Sequence, residues 1–118
     1  VPPVEFDEHS RPAPAEPSAH IRKRVNAARA IQTARFGPNG PSCNARMGRR
    51  ELEQYCALDG SCQAMMKGAF TRLGLTARSH DRILRVARTI ADLDSSEAIQ
   101  APHLAEALQY RSSRYLVP

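Results

Sequence analysis

The stretch from Thr76 to Leu93, TARSHDRILRVARTIADL, constrains the fold more than any other part of the chain. Ile83, Val86, Ala87, Ile90 and Leu93 recur at i, i+3, i+4, i+7 and i+10, so a helix here carries one apolar stripe that must be covered. No segment alternates apolar and polar residues with period two for long enough to be a strand, so other helices must cover it. The spacing predicts an all-α bundle of about five helices with no internal repeat.

The remaining helices follow from punctuation and periodicity. One runs from about Ser18, read as its N-cap, to Phe36; Ile21, Val25, Ala28 and Ile31 form its core stripe and Gly37-Pro38 stops it. Two glycines and two prolines in GPNGPSCNARM force a loop over residues 37 to 45. A short helix over Gly48 to Leu58 turns Leu52, Tyr55 and Cys56 inward. Asp59 then caps a helix to Leu73 whose stripe is Cys62, Met65, Met66, Ala69, Phe70 and Leu73. Gly74 ends it and Thr76 caps the next, which predicts an antiparallel or steeply crossed pair. Ile99 is expected to plug back into the core. Pro102 sits in the first turn of a last helix, with Leu104, Ala107 and Leu108 inward. Residues 1 to 18, rich in proline and acids, read as a flexible linker, residues 19 to 111 as the folded domain, and residues 112 to 118 as a frayed tail. The start at Val1 suggests a piece of a longer product. No apolar run reaches the roughly 18 residues of a membrane span, which predicts a cytoplasmic protein without a membrane partner.

Charge is distributed unevenly. The chain carries +5 overall, but residues 1 to 18 hold four acids and only Arg11, leaving the rest at about +8. All but Lys23 and Lys67 of its 17 basic residues are arginines, whose planar forks match phosphate. Genomic base composition also enriches arginine, so composition leaves a solvated face as the competing reading.

Several chemistries are excluded for this chain alone. It has no GxxxxGK[ST] loop, so it is not by itself a nucleotide hydrolase. Ser79, His80 and Asp81 are consecutive on one helix and point in directions about 100° apart, so they form no triad. Cys43, Cys56 and Cys62 lack any CxxC pairing, and Cys56 and Cys62 fall on apolar stripes as small hydrophobes. His103 and Glu106 at i, i+3 make a surface pair rather than a metal site, so no metal is assigned.

Arg78, Arg82 and Arg85 form a second row beside the apolar stripe, and Arg78 stands in the first turn, where the helix dipole disfavours a cation unless an anion joins it. One reading is an external phosphate. The other is that Asp81 compensates Arg78, Arg88 pairs with Asp92 at i, i+4, and Arg82 and Arg85 lie along the core edge. Periodicity leaves both open. AFTRLGLTARSHDRI also has the outline of a DNA-binding helix-turn-helix, but Phe70 stands four before the turn glycine and His80 stands where an apolar residue should turn inward.

RVNAARAIQTARF, NARM, ELEQYCALD, LGLTARSHDRILRVARTIADLD and HLAEALQYR, in that order and spacing, resemble the C-terminal domain of magnesium-chelatase-like AAA+ proteins of the ComM/YifB type, over residues 20 to 111. The resemblance implies the helical lid of an ATPase whose α/β core, with its phosphate loop and magnesium-binding acids, precedes Val1. It implies ATP and Mg2+ as cofactors of the parent protein and none for the lid alone, which is not an enzyme in isolation. It implies neighbouring subunits of a ring, a hexamer, and a DNA-dependent branch-migration role in natural transformation. Thr76 to Arg78 match the sensor-2 position, so Arg78, with Thr76 and Arg82, is expected to face nucleotide. Related minichromosome maintenance proteins place this arginine on a neighbouring subunit, which leaves its action in cis or in trans open. Arg22, Arg29 and Arg85 are candidates for DNA or subunit contact. The FGPNGPSC loop shows no chemistry, and pigment-related magnesium insertion is not implied.

Overall fold

The computed structural model describes residues 17–112, so the expectations for residues 1–16 of the linker and for residues 113–118 lie outside the described residues. Five helices follow one another: α1 Ser18–Phe36, α2 Arg49–Tyr55, α3 Gly60–Leu73, α4 Ala77–Leu93 and α5 Ala101–Ser112, with a 3₁₀ turn at Asn44–Arg46 between α1 and α2. The described residues contain no strand.

α4 is the axis of the bundle. It packs on α5, on the C-terminal half of α1, on the 3₁₀ turn and on α2, while α3 packs on α5. Burying Ile83, Leu84, Ala87 and Ala91 with Leu104, Ala107, Leu108 and Ile99 removes the apolar area that drives the assembly. The buried face of α4 is therefore rotated from the expected stripe: Val86, Ile90 and Leu93 are half-buried, and Arg88 and Asp92 are inside. The rotation follows from α1 and the 3₁₀ turn, which cover a face that the apolar pattern leaves polar.

The caps of α3 and α4 form as read. The Asp59 carboxylate accepts the Cys62 N–H at 2.8 Å and the Thr76 hydroxyl accepts the Ser79 N–H at 3.1 Å. Gly74 closes α3 in the left-handed region at φ 64°, ψ 45°. α3 and α4 meet near this turn, where the Phe70 and His80 rings lie 5.7 Å apart, and each takes its main packing from other elements. The pair expected from the short connection is thus a corner, wedged by buried Leu75.

α1 departs most from expectation. Pro17, not Ser18, occupies the N-cap position, and no side chain caps the helix. Ile21 is 45% exposed, whereas Ala28 and Gln32 are buried, so the helix is fully buried only on its later turns. α2 ends at Tyr55 rather than Leu58. No described helix is long and apolar enough to cross a membrane.

Candidate phosphate-facing surface

The site is built on a buried polar lock. Asp92, with no exposed side-chain surface, accepts Arg35 Nη2 at 2.7 Å and Arg88 Nε at 3.1 Å on Oδ1, and Arg35 Nη1 at 2.9 Å and Asn44 Nδ2 at 2.7 Å on Oδ2. Arg35 Nη1 also reaches Asn44 Oδ1 at 3.0 Å, and the Asn44 N–H donates to Gln32 Oε1 at 3.0 Å. Arg88 spends its remaining donors on the carbonyls of Ser96 (2.6 Å), Glu97 (2.9 Å) and Tyr55 (3.3 Å). One carboxylate and two guanidiniums therefore tie α1, the 3₁₀ turn, α2, α4 and the α4–α5 loop together. No buried side-chain nitrogen or oxygen among the described residues lacks a partner. Burial pushes the Asp92 carboxyl up, but the hydrogen bonds from Arg35 and Asn44 and the Arg88 charge outweigh it and hold the group below its ordinary range.

Arg88 and Asp92 pair at i, i+4, as one of the two readings has it, and the pair lies in the interior. The residues after FGPNGPSC also have a task, since the loop delivers Asn44 into the lock. Gly40 lets the loop turn tightly, because a Cβ there would lie 2.4 Å from the Phe36 carbonyl oxygen. Sequence reasoning missed Arg35, Asn44 and Gln32. The available signal was that Gln32 and Arg35 stand at i+4 and i+7 from buried Ala28, polar residues on a stripe that should have been apolar.

The lock fixes α4, and α4 presents the arginines. Arg78 and Arg82 are exposed, and their side chains make no hydrogen bond or ion pair among the described residues. Thr76 stands beside them with its hydroxyl engaged as the cap. Asp81 does not compensate Arg78: its Oδ2 accepts Arg49 Nη2 at 2.6 Å and its Oδ1 lies 3.3 Å from His80 Nδ1. Burial raises the Asp81 carboxyl, and the His80 and Arg49 hydrogen bonds more than reverse this. Arg85 lies along the core edge, as one of the two readings has it: it is half-buried and donates from Nε to the Met47 carbonyl at 3.0 Å. These two contacts tie Met47 and Arg49 to α4, and Arg46, Arg49 and Arg50 are exposed. Arg22 and Arg29 are exposed on α1, a different element.

His103 and Glu106 part company. His103 is buried, its Nδ1 reaching back from the third residue of α5 to accept the Gln100 N–H at 3.0 Å and its Nε2 lying 2.9 Å from Asp94 Oδ2. Glu106 accepts the Tyr110 hydroxyl at 2.7 Å. No group of three or more His, Cys, Asp or Glu side chains among the described residues is placed to hold a metal. Cys56 and Cys62 are buried as read, Cys43 is half-buried, and burial pushes the Cys56 thiol up to about 11.

Residues 15–111 match the family described as magnesium chelatase, subunit ChlI C-terminal. The chain belongs to this family. It is 42% identical over 97 residues to competence protein ComM of Haemophilus influenzae, covering 82% of this chain and 18% of the relative. It is 40% identical over 99 residues to the uncharacterized protein YifB of Escherichia coli, covering 84% of this chain and 19% of that one. An uncharacterized protein of Mycobacterium bovis is 30% identical over 101 residues, or 86% of this chain and 20% of its own length. The chain thus spans about a fifth of the length of the curated relatives that it matches.

Proposed function

We propose that the chain is the C-terminal helical lid of a ComM/YifB-type AAA+ ATPase and that Arg78 contacts the nucleotide phosphates. The observation that carries this reading is the state of the α4 N-terminus. Thr76 caps it, Asp81 is held by Arg49, and Arg78 is left as an exposed guanidinium beside the positive end of the helix dipole. Such an end suits an anion supplied from outside. A phosphate oxygen fits the guanidinium fork, and no group of three or more His, Cys, Asp or Glu side chains among the described residues is placed to hold a metal beside it. The metal and the phosphate loop belong to the upstream core, where ATP supplies a transferable phosphoryl group. The part of this chain is to place one cation against the phosphates, to hold it there through the Asp92 lock, and to carry the nucleotide state to the rest of the bundle. Arginines of this kind contribute about 10³ to 10⁵ in rate in well-studied phosphoryl transfers.

Ring assembly as a hexamer, a cytoplasmic setting, DNA-dependent motor activity and a role in transformation belong to the same proposal; the competence name of one relative supports the last. The test is ATP turnover by the full-length parent, with and without DNA, for wild type and Arg78→Ala. The expected result is loss of most turnover with folding and assembly intact. Unchanged turnover and nucleotide affinity sink the reading. A free-standing helix-turn-helix module is less well supported, since α3 and α4 form a corner rather than a packed pair.

A further inference from the structure

We infer that residues 115–117, which follow α5, return as a strap into the groove between α4 and α5 and complete the bundle there. The inference does not depend on the nucleotide role of Arg78. The groove has a volume of about 310 Å³. Its floor is Val86, Ile90 and Leu93 of α4, which the helical pattern marks for burial and which the described residues leave half-buried. Tyr110, which with Ile21 is an exposed large apolar side chain among the described residues, stands on the opposite wall. The polar groups at the edges are already engaged. Arg85 Nε donates to the Met47 carbonyl at 3.0 Å, the Thr89 hydroxyl donates to the Arg85 carbonyl at 3.0 Å, and Glu106 accepts the Tyr110 hydroxyl at 2.7 Å. What the groove still lacks is cover for apolar area, so its occupant is apolar.

The chain beyond α5 has the composition and the reach. His103 near the start of α5 lies 2.9 Å from Asp94 at the end of α4, so α5 runs back along α4 and ends at Ser112, two residues past Tyr110. Ser113 and Arg114 provide a short polar reversal, and Tyr115, Leu116 and Val117 follow as an apolar run that favours extended backbone. Three extended residues cover about 10 Å at about 3.3 Å each. Val86 and Leu93 are separated by the same distance, about 10 Å at 1.5 Å per residue. Arg114, the one charged side chain in residues 113–118, complements Glu106, the one acid among the described lining residues. A neighbouring groove between α3 and α5 also opens at Tyr110, but at about 690 Å³ it has more than twice the volume and carries Arg72 and Gln109 on its wall, so three apolar side chains fill it poorly. Seated against α4, the strap covers Thr89, whose hydroxyl accepts Asn44 Nδ2 at 3.2 Å, and keeps water from the edge of the Asp92 lock.

The experiment is backbone NMR of the 118-residue chain, comparing wild type with Tyr115→Ser/Leu116→Ser/Val117→Ser. The triple variant keeps the length of the segment and changes none of the buried core residues, so the bundle stays folded. Amide order parameters at residues 115–117 are expected near about 0.85 in wild type and below about 0.6 in the variant. The amide shifts that differ between the two are expected at Val86, Ile90, Leu93 and Tyr110. Three outcomes overturn the inference. Order parameters already below about 0.6 in wild type, or shifts on α4 that do not change, leave the groove without its strap. Shift differences at Met65, Leu73 and Leu108 instead put the segment in the α3–α5 groove. Differences on α4 that vanish on dilution make the occupant the same segment of a second copy.

Discussion

Asp92 accepts bonds from three stretches of chain, and its nearest arginine in space, Arg35, is 57 residues away in sequence. Removing the carboxylate strands two arginines inside the bundle, so Asp92→Ala is expected to cost about 3–5 kcal/mol, read as a fall in the urea midpoint. The pH dependence has a fixed sign. The folded Asp92 carboxyl lies below its unfolded value of about 3.9, so its contribution is complete above that value and is lost as pH falls through the folded one. Asp92→Asn should therefore flatten the acid limb of stability against pH, and an unchanged limb refutes the assignment. The i, i+4 spacing of Arg88 and Asp92 was legible, because it is local. Their burial was not, since it depends on Arg35 and Asn44 arriving from a distant helix and a loop.

Elements with sequence-local determinants were the readable ones. Asp59 and Thr76 cap α3 and α4, Gly74 takes the left-handed conformation between them, and Ile99 and Leu104 are buried as their pattern requires. α1 resisted reading: its apolar positions continue toward Ile21, yet the bundle fully buries residues only on its later turns, and a periodicity cannot say how far a neighbour extends. Two predictions belong at this scale. Thr76→Ala removes the acceptor for the Ser79 N–H and should cost about 0.5–2 kcal/mol by urea titration. Gly40→Ala forces a methyl toward the Phe36 carbonyl and should cost about 1–3 kcal/mol, because the displaced loop carries Asn44 out of the lock. If Gly40→Ala is neutral, the loop is not what positions Asn44.

At the scale of the whole molecule, the five helices of the described residues share one core, and the cysteines report whether it opens as a unit. Cys62 packs at the α3–α5 contact with its Sγ 3.9 Å from the Ile99 carbonyl, and Cys56 lies under Met47 beside the lock. Burial pushes both thiols up, to about 11 for Cys56, which removes the reactive thiolate as well as the access. Cys43 stands half-buried in the loop outside that core. Under native conditions a maleimide should label Cys43 first, with Cys56 and Cys62 following together at a rate set by global unfolding. The Asp92→Ala variant should then accelerate Cys56 and Cys62 by the same factor, because both are exposed by one transition, and change Cys43 much less. Acceleration of Cys56 alone would mean that the lock and the α3–α5 contact open separately. In that case α3 and α5 would form a second cooperative unit, and the orientation of the arginine surface would depend on the lock without depending on the rest of the core.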